Sequence, residues 1–210
     1  YKALDLFSMF MEERKNTGRI YLLNVDHANT HSAFVEKAAP VKQSNLCCEI
    51  TLPTKPLNHF FDEEGEISLC TLSAINWGNV KEPEDFAKMC DLAVRALDEL
   101  LDYQSYPVLA AQLSTMNRRP LGIGIINFAY FLAKNNLSYS DPAALELVNE
   151  YAEAWSYYLI KASVNLAKEK GAIPKLAETK YGNGILPVDT YKREVDELVA
   201  PALKMDWESL

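Results

Sequence analysis

The sequence contains no apolar run of about eighteen residues, so it offers no candidate transmembrane helix, and its first residues, YKALDLF, lack the basic-then-apolar order of a secretory signal. Basic residues are in the minority. With 21 Lys and Arg against 29 Asp and Glu, the net charge is −8 and the pI near 5.0. That balance excludes a general nucleic-acid surface, which needs clustered cations to neutralise phosphates, so a phosphate-bearing ligand must be held by local contacts. Cysteine is scarce: Cys47, Cys48, Cys70 and Cys90 form no CxxC pair and fall far short of the density of a small secreted disulfide scaffold. A reducing, cytoplasmic setting is the expectation. No repeat, low-complexity tract or composition shift marks a linker.

What is present is the composition of an ordinary soluble globular protein, 49% hydrophobic and 24% charged. At 210 residues the chain is long enough to bury a sizeable core in one domain. It begins at Tyr1, at a residue that reads as part of a helix, and ends at Leu210 without a stop signal, so it is expected to be a piece of something larger.

Apolar residues at 3, 4, 6, 7, 10 and 11 predict a helix over residues 1 to 16, with Gly18 at the C-terminal cap. IYLLNV reads as a short buried strand. Asn29, Thr30 or Ser32 would cap a short helix ending before Pro40. The stretch TLPTKPLNHFFDEEGE has loop chemistry, and EISLCTLSAINW alternates as a strand. Residues 82 to 101 form a strong amphipathic pattern, with Phe86, Met89, Cys90, Val94, Leu97 and Leu101 on one stripe. Further helices are predicted over 107 to 116, after NRRPLGIGIIN, from Asp141–Pro142 to about 170 with Gly171 closing it, and from about Asp189. The architecture expected is one α/β, helix-rich domain whose strands, widely separated by helices, pair in parallel through crossovers.

The segment QSNLCCEITLP, residues 43 to 53, places two thiols, an amide and a carboxylate together. If extended, it puts Asn45, Cys47 and Glu49 on one face, and Leu46 and Cys48 on the other. Such a face can hydrogen-bond vicinal hydroxyls, abstract a proton and act on a carbon. The competing reading makes both cysteines small core hydrophobes and Glu49 a strand-end charge. On the first reading Cys47 and Cys70 are expected to face a common cavity, with Cys48, by strand alternation, and Cys90, on its helical stripe, packed away from it.

Other signals are weaker. GIGIIN imitates a dinucleotide fingerprint without its third Gly and reads as glycines for close helix packing. His27 and His31 have the i, i+4 spacing of a metal pair, but Asn29 and Thr30 make the stretch a turn or cap and no third ligand is evident. Arg118 and Arg119 read as a solvated loop or a structural ion pair, and Tyr157 and Tyr158 as packing residues of a long helix.

The motif NLCCE, followed by SLCTLSAINW and then NRRPLGIGIINFAYFLA, closely resembles the catalytic domain of the large subunit of class I ribonucleotide reductases, in wording most like the enterobacterial class Ia enzymes. The resemblance runs in order over the whole chain. It implies a ten-stranded α/β barrel of two five-stranded halves with a central finger loop. Residues 1–210 would then be a partial catalytic barrel domain, with the finger loop around 43–53 and part of the second barrel half. The N-terminal nucleotide-sensing domain, the first barrel half and the C-terminal segment would lie outside this chain.

The resemblance further implies reduction of ribonucleoside diphosphates to deoxyribonucleoside diphosphates. Cys47 would be the thiyl radical site that abstracts the 3′ hydrogen, Glu49 the base for the 3′-hydroxyl proton, and Asn45 the amide orienting the ribose hydroxyls and Glu49. Cys70 would be one member of the redox-active disulfide, its partner outside this chain, while Cys48 sits at a position the family lets vary. No cofactor or metal is expected on the chain itself. The family relies on a diiron-tyrosyl radical in the small (beta) subunit, on thioredoxin or glutaredoxin as reductant, and on ATP, dATP and other dNTP effectors bound elsewhere, and it forms an alpha-subunit homodimer; neither nucleic acid nor membrane is a partner. Alone, the chain is expected to be inactive and to self-associate through exposed sheet edges and apolar helix faces. Two rival classes stay open: a hydrolase using Cys47 or Cys70 with His27, His31 or His59 as base, and a non-catalytic interaction domain.

Overall fold

The computed structural model describes residues 1–190 and 203–210. Helix α1 (Ala3–Thr17) ends as its sequence predicts, at Gly18 in the left-handed conformation (φ 65°), where a residue without Cβ bears no steric penalty. Its apolar residues stay exposed except for half-buried Phe10, and none is buried.

IYLLNV does not become a strand. Residues 19–24 are irregular, Tyr21 and Leu22 lie exposed, and the chain turns directly into helix α2 (Val25–His31). A short apolar run has no strand character of its own until another strand supplies hydrogen bonds. The helix expected up to Ala39 is displaced accordingly: Ser32 follows α2 rather than starting a helix. Buried Asn29 explains the placement. Its Nδ2 donates to the Val25 carbonyl (3.0 Å) and to the Val41 carbonyl (2.9 Å), while its Oδ1 accepts from the Val41 amide (2.7 Å). One amide side chain thus satisfies both backbone groups of Val41 and ties α2 to the segment that follows.

Strand β1 (Thr71–Asn76) is shorter than predicted. After it come two 3-10 turns, Trp77–Asn79 and Pro83–Asp85, and then α3 (Phe86–Tyr103) and α4 (Leu109–Arg118). Strand β2 (Leu121–Ile126) is the GIGIIN region. Its glycines belong to a strand rather than to a helix contact, contrary to expectation. It pairs with β1 in parallel, from Thr71 opposite Leu121 to Asn76 opposite Ile126, so the two strands are joined by the expected helical crossover. Helix α5 (Phe128–Lys134) follows, and α6 (Pro142–Lys170) runs from Asp141–Pro142 to Gly171 as predicted. The helix expected from Asp189 falls on residues 191–202, outside the described residues, after a 3-10 turn at Pro187–Thr190.

The architecture is therefore α/β and rich in helix, with a two-stranded parallel sheet; among the described residues the strands close no barrel. The core forms where α3 packs on β1 on one side and on α6 on the other. Trp77, Phe86, Cys90 and Phe131 are fully buried there, and Tyr151 closes one side with its hydroxyl donating to the Lys81 carbonyl (2.7 Å). The predicted stripe of α3 is the face it buries. Among the described residues no helix is long and apolar enough to cross a membrane.

Candidate active site

The segment 43–53 is not extended. Residues 46–48 form a turn in which the Cys48 amide donates to the Asn45 carbonyl (3.1 Å) and Cys48 itself adopts a left-handed conformation (φ 60°). Strand alternation therefore does not decide which thiol faces where. The turn does: Cys47 is exposed at its tip and Cys48 is half-buried. The same turn brings Asn45 and Glu49 together by a different route, with Asn45 Nδ2 donating to Glu49 Oε1 at 2.5 Å. A turn closes five residues into one cluster, whereas a strand would have spread these three side chains along about 13 Å.

Cys70 lies immediately before β1 and is half-buried. Burial raises its thiol pKa, and the Glu49 carboxylate raises it further, so Glu49 and Cys70 share one electrostatic neighbourhood. Both effects keep Cys70 a protonated thiol near neutral pH. The segment before Cys70 is tied on two sides: the Ser68 hydroxyl donates to the Pro53 carbonyl at the end of the 43–53 segment, and the Ile67 amide donates to the Ala110 carbonyl of α4 (3.2 Å). Gly122 on β2 leaves room for the thiol. A Cβ there would lie 2.9 Å from Cys70 Sγ and 2.5 Å from Leu72 Cδ2. This role went unread in the sequence, although a glycine inside an apolar run is a recognised sign of close backbone approach in a strand.

A charged network supports the loops on either side. Glu66, nearly buried, accepts from Arg118 Nη1 (2.7 Å) and Lys175 Nζ (2.9 Å), and Arg118 Nη2 also reaches Glu178 (2.8 Å). Burial alone would raise the Glu66 pKa. The hydrogen bonds and charges of Arg118 and Lys175 outweigh it and hold the carboxyl below its usual value. Arg119 grips Asp102 through both Nη atoms (2.7 and 2.8 Å) and reaches Asp98 through Nε (2.6 Å). Of the readings open for Arg118 and Arg119, the structural ion pair is the one observed.

His27 and His31 sit on a true helical turn, against the expectation of a cap, and line an open cavity of about 430 Å³ with Leu23, Asn24, Ser32 and Thr51. Neither Cys47 nor Cys70 borders that cavity. Cys90 is fully buried, as its stripe predicts, its thiol pushed up to about 12 by burial, so it is an inert core thiol. Tyr157 is buried and packs edge-on against Tyr158 and Trp207, as a packing residue should.

The turn thus presents an exposed thiol beside a hydrogen-bonded amide and carboxylate, with the carboxylate acting electrostatically on Cys70. The chain belongs to the ribonucleotide reductase barrel domain family, whose model matches residues 1–210. It is 58% identical to the ribonucleoside-diphosphate reductase subunit alpha of Haemophilus influenzae and 59% identical to the ribonucleoside-diphosphate reductase 1 subunit alpha of Salmonella typhimurium. Each match covers all of this chain and 28% of the relative. The corresponding subunit of Enterobacteria phage T4 is 43% identical over all of this chain and 27% of its own length. The chain thus spans little more than a quarter of the curated relatives it matches.

Proposed function

We propose that the chain contributes the radical site and part of the reducing site for conversion of ribonucleoside diphosphates to deoxyribonucleoside diphosphates. The observation that carries this reading is the Asn45–Glu49 hydrogen bond across the turn that exposes Cys47, with Glu49 acting electrostatically on Cys70. Family membership and the printed names of the relatives support it. In this reading residues 43–53 are the finger loop inside a ten-stranded barrel to which β1 and β2 belong, within residues 1–210 of a catalytic barrel domain.

The chemistry follows from the bonds involved. The weak S–H bond of Cys47 gives up a hydrogen atom, and the resulting thiyl abstracts the 3′ hydrogen of the substrate. Glu49 accepts the 3′-hydroxyl proton, general-base work that requires a carboxylate in hydrogen-bond reach, and Asn45 holds it there. The 2′-hydroxyl leaves as water. Cys70 and a second thiol supply two electrons and two protons and end as a disulfide, and the Cys47 S–H returns its hydrogen to C3′. A protonated Cys70 suits this step, because it must deliver hydrogen as well as electrons.

The small (beta) subunit, with its diiron-tyrosyl radical, supplies the oxidising equivalent to Cys47. Thioredoxin or glutaredoxin re-reduces the disulfide. ATP, dATP and other dNTP effectors act from other parts of an alpha-subunit homodimer in the cytoplasm.

The test uses a full-length alpha subunit carrying this sequence, with its radical-generating partner, in single turnovers followed by spin detection and product analysis. Cys47→Ser abolishes deoxynucleotide formation and leaves substrate binding near normal, since a serine O–H is too strong to enter the radical step. Glu49→Gln slows turnover about 10²–10⁴-fold and accumulates an altered radical. Deoxynucleotide from Cys47→Ser overturns the thiyl assignment, and unimpaired turnover by Glu49→Gln removes Glu49 from the mechanism.

A further inference from the structure

An asparagine side chain presents a carbonyl oxygen and an amide nitrogen of almost the same shape, and only one orientation is useful beside a carboxylate. With Nδ2 toward Glu49, Asn45 attracts it; with Oδ1 toward Glu49, two oxygens face each other. The carboxylate itself favours the first orientation, but both residues are exposed and their contact is local, so water can weaken that preference.

A second selection comes from Ile50. Its backbone N–H lies 3.2 Å from Asn45 Oδ1, and an amide N–H can only donate, so the group opposite it must be the oxygen. Ile50 is held in turn by Ser44, whose hydroxyl donates to the Ile50 carbonyl at 2.7 Å. The same Ser44 Oγ lies 3.2 Å from Asn45 Oδ1 and shares its single hydrogen with it at the longer distance. Ser44 and Ile50 thus clasp the two ends of the turn that carries Cys47 at its tip. Half-buried Ser44 makes no contact with Cys47, Glu49 or Cys70 among its hydrogen bonds, and its effect must pass through Ile50 and Asn45.

We infer that Ser44 is a positioning residue of the radical site: by fixing Ile50 it orients the Asn45 amide toward Glu49 and so sets amide, carboxylate and thiol in one geometry. The inference rests on the reduction proposed above. Its consequence is specific. Loss of the hydroxyl frees the Asn45 amide to rotate, which lowers the rate of the chemical step and leaves the substrate's phosphate contacts untouched. A hydroxyl that served only loop stability would instead lower the melting temperature and act equally whatever stood at position 45.

The experiment is a double-mutant cycle in the full-length alpha subunit with its radical-generating partner, using Ser44→Ala, Ser44→Thr, Asn45→Ala and the Ser44→Ala/Asn45→Ala pair. Steady-state kinetics on a ribonucleoside diphosphate and thermal melting are the readouts. Ser44→Ala lowers kcat about tenfold, the rate equivalent of one hydrogen bond, with KM and melting temperature near wild type. Ser44→Thr, which keeps the hydroxyl, recovers most of the rate. Ser44→Ala costs nothing further once Asn45 is alanine. Wild-type kcat in Ser44→Ala, or the same loss in both backgrounds, overturns the inference. Cys47→Ser run alongside separates the two claims: turnover by that variant defeats the radical reading itself, whereas its silence with wild-type kcat in Ser44→Ala defeats only the role of Ser44.

Discussion

Around Trp77, five aromatic rings lie with centroids between 5.2 and 6.4 Å away, contributed by Phe86, Phe128, Phe131, Tyr151 and Trp155. Around Glu66, the cations of Arg118 and Lys175 converge on one carboxylate, and Glu178 closes the set. The first region joins the 3-10 turn that follows β1 with α3, α5 and α6, all regular elements. The second joins residues 55–66, the end of α4 and residues 175–178, mostly irregular backbone that flanks the candidate site. Apolar packing is non-directional and suits elements that satisfy their own backbone. Irregular segments have no such internal ladder, and directional, charge-assisted bonds can hold them in one arrangement. The site is therefore carried by the polar region and backed by the apolar one.

The largest effect expected from breaking this contrast is in the aromatic core. Trp77→Ala leaves a cavity that its neighbours cannot fill and costs about 3–5 kcal/mol, measured by urea unfolding of the chain. Trp77→Phe costs far less, since it keeps one ring and discards an indole N–H that has no hydrogen-bond partner among the described residues. Equal losses from the two variants would mean that the N–H, not the ring volume, matters there.

Breaking the polar region is expected to cost slightly less at neutral pH and to change with acid. Arg118→Met strands a nearly buried Glu66 with Lys175 and the more exposed Lys55, a loss of about 3 kcal/mol. Because the folded Glu66 carboxyl titrates below its ordinary value of 4.5, its contribution is present above that pH and is lost as pH falls through the folded value. Acid titration of stability in wild type and Arg118→Met should show the steeper loss in wild type. Parallel curves would remove Glu66 from the acid response.

The smallest effect sharpens the same contrast at alkaline pH. Cys90 belongs to the apolar side, and burial keeps it a thiol up to about 12, whereas in the unfolded chain it ionises near its ordinary 9.0. Its share of stability is complete below pH 9 and falls above it by ~1.4 kcal/mol per pH unit. Unfolding of wild type and Cys90→Ala between pH 8 and about 10.5 checks this, and an unchanged slope in the variant would refute it.

Much of the molecule could be read before any coordinates. Helix α6 begins at Asp141–Pro142 and ends at Gly171, α1 stops at Gly18, and α3 buries the stripe marked by Phe86, Cys90, Val94 and Leu97. The candidate residues Asn45, Cys47 and Glu49 could be singled out by their chemistry, but that chemistry left two core thiols and a strand-end charge as a rival reading, and the family resemblance, not the local pattern, favoured them. Their geometry was not legible: the alternation that picked out Asn45, Cys47 and Glu49 belongs to a strand, and the chain forms a turn. Ser44 and Gly122 escaped notice because neither has unusual chemistry, only an unusual place.

Helices α1, α3 and α6 could be read from the sequence alone, because a helix draws its hydrogen bonds from residues four apart and its signals lie within one window, whereas the place of α2 was not among them. The tertiary structure alone decided that IYLLNV is no strand, that GIGIIN is one, and that Glu49 acts on Cys70. It alone sends Arg118 to Glu66 and Arg119 to Asp98 and Asp102. Each of these depends on partners supplied from distant segments, and local pattern carries no record of which segment will arrive.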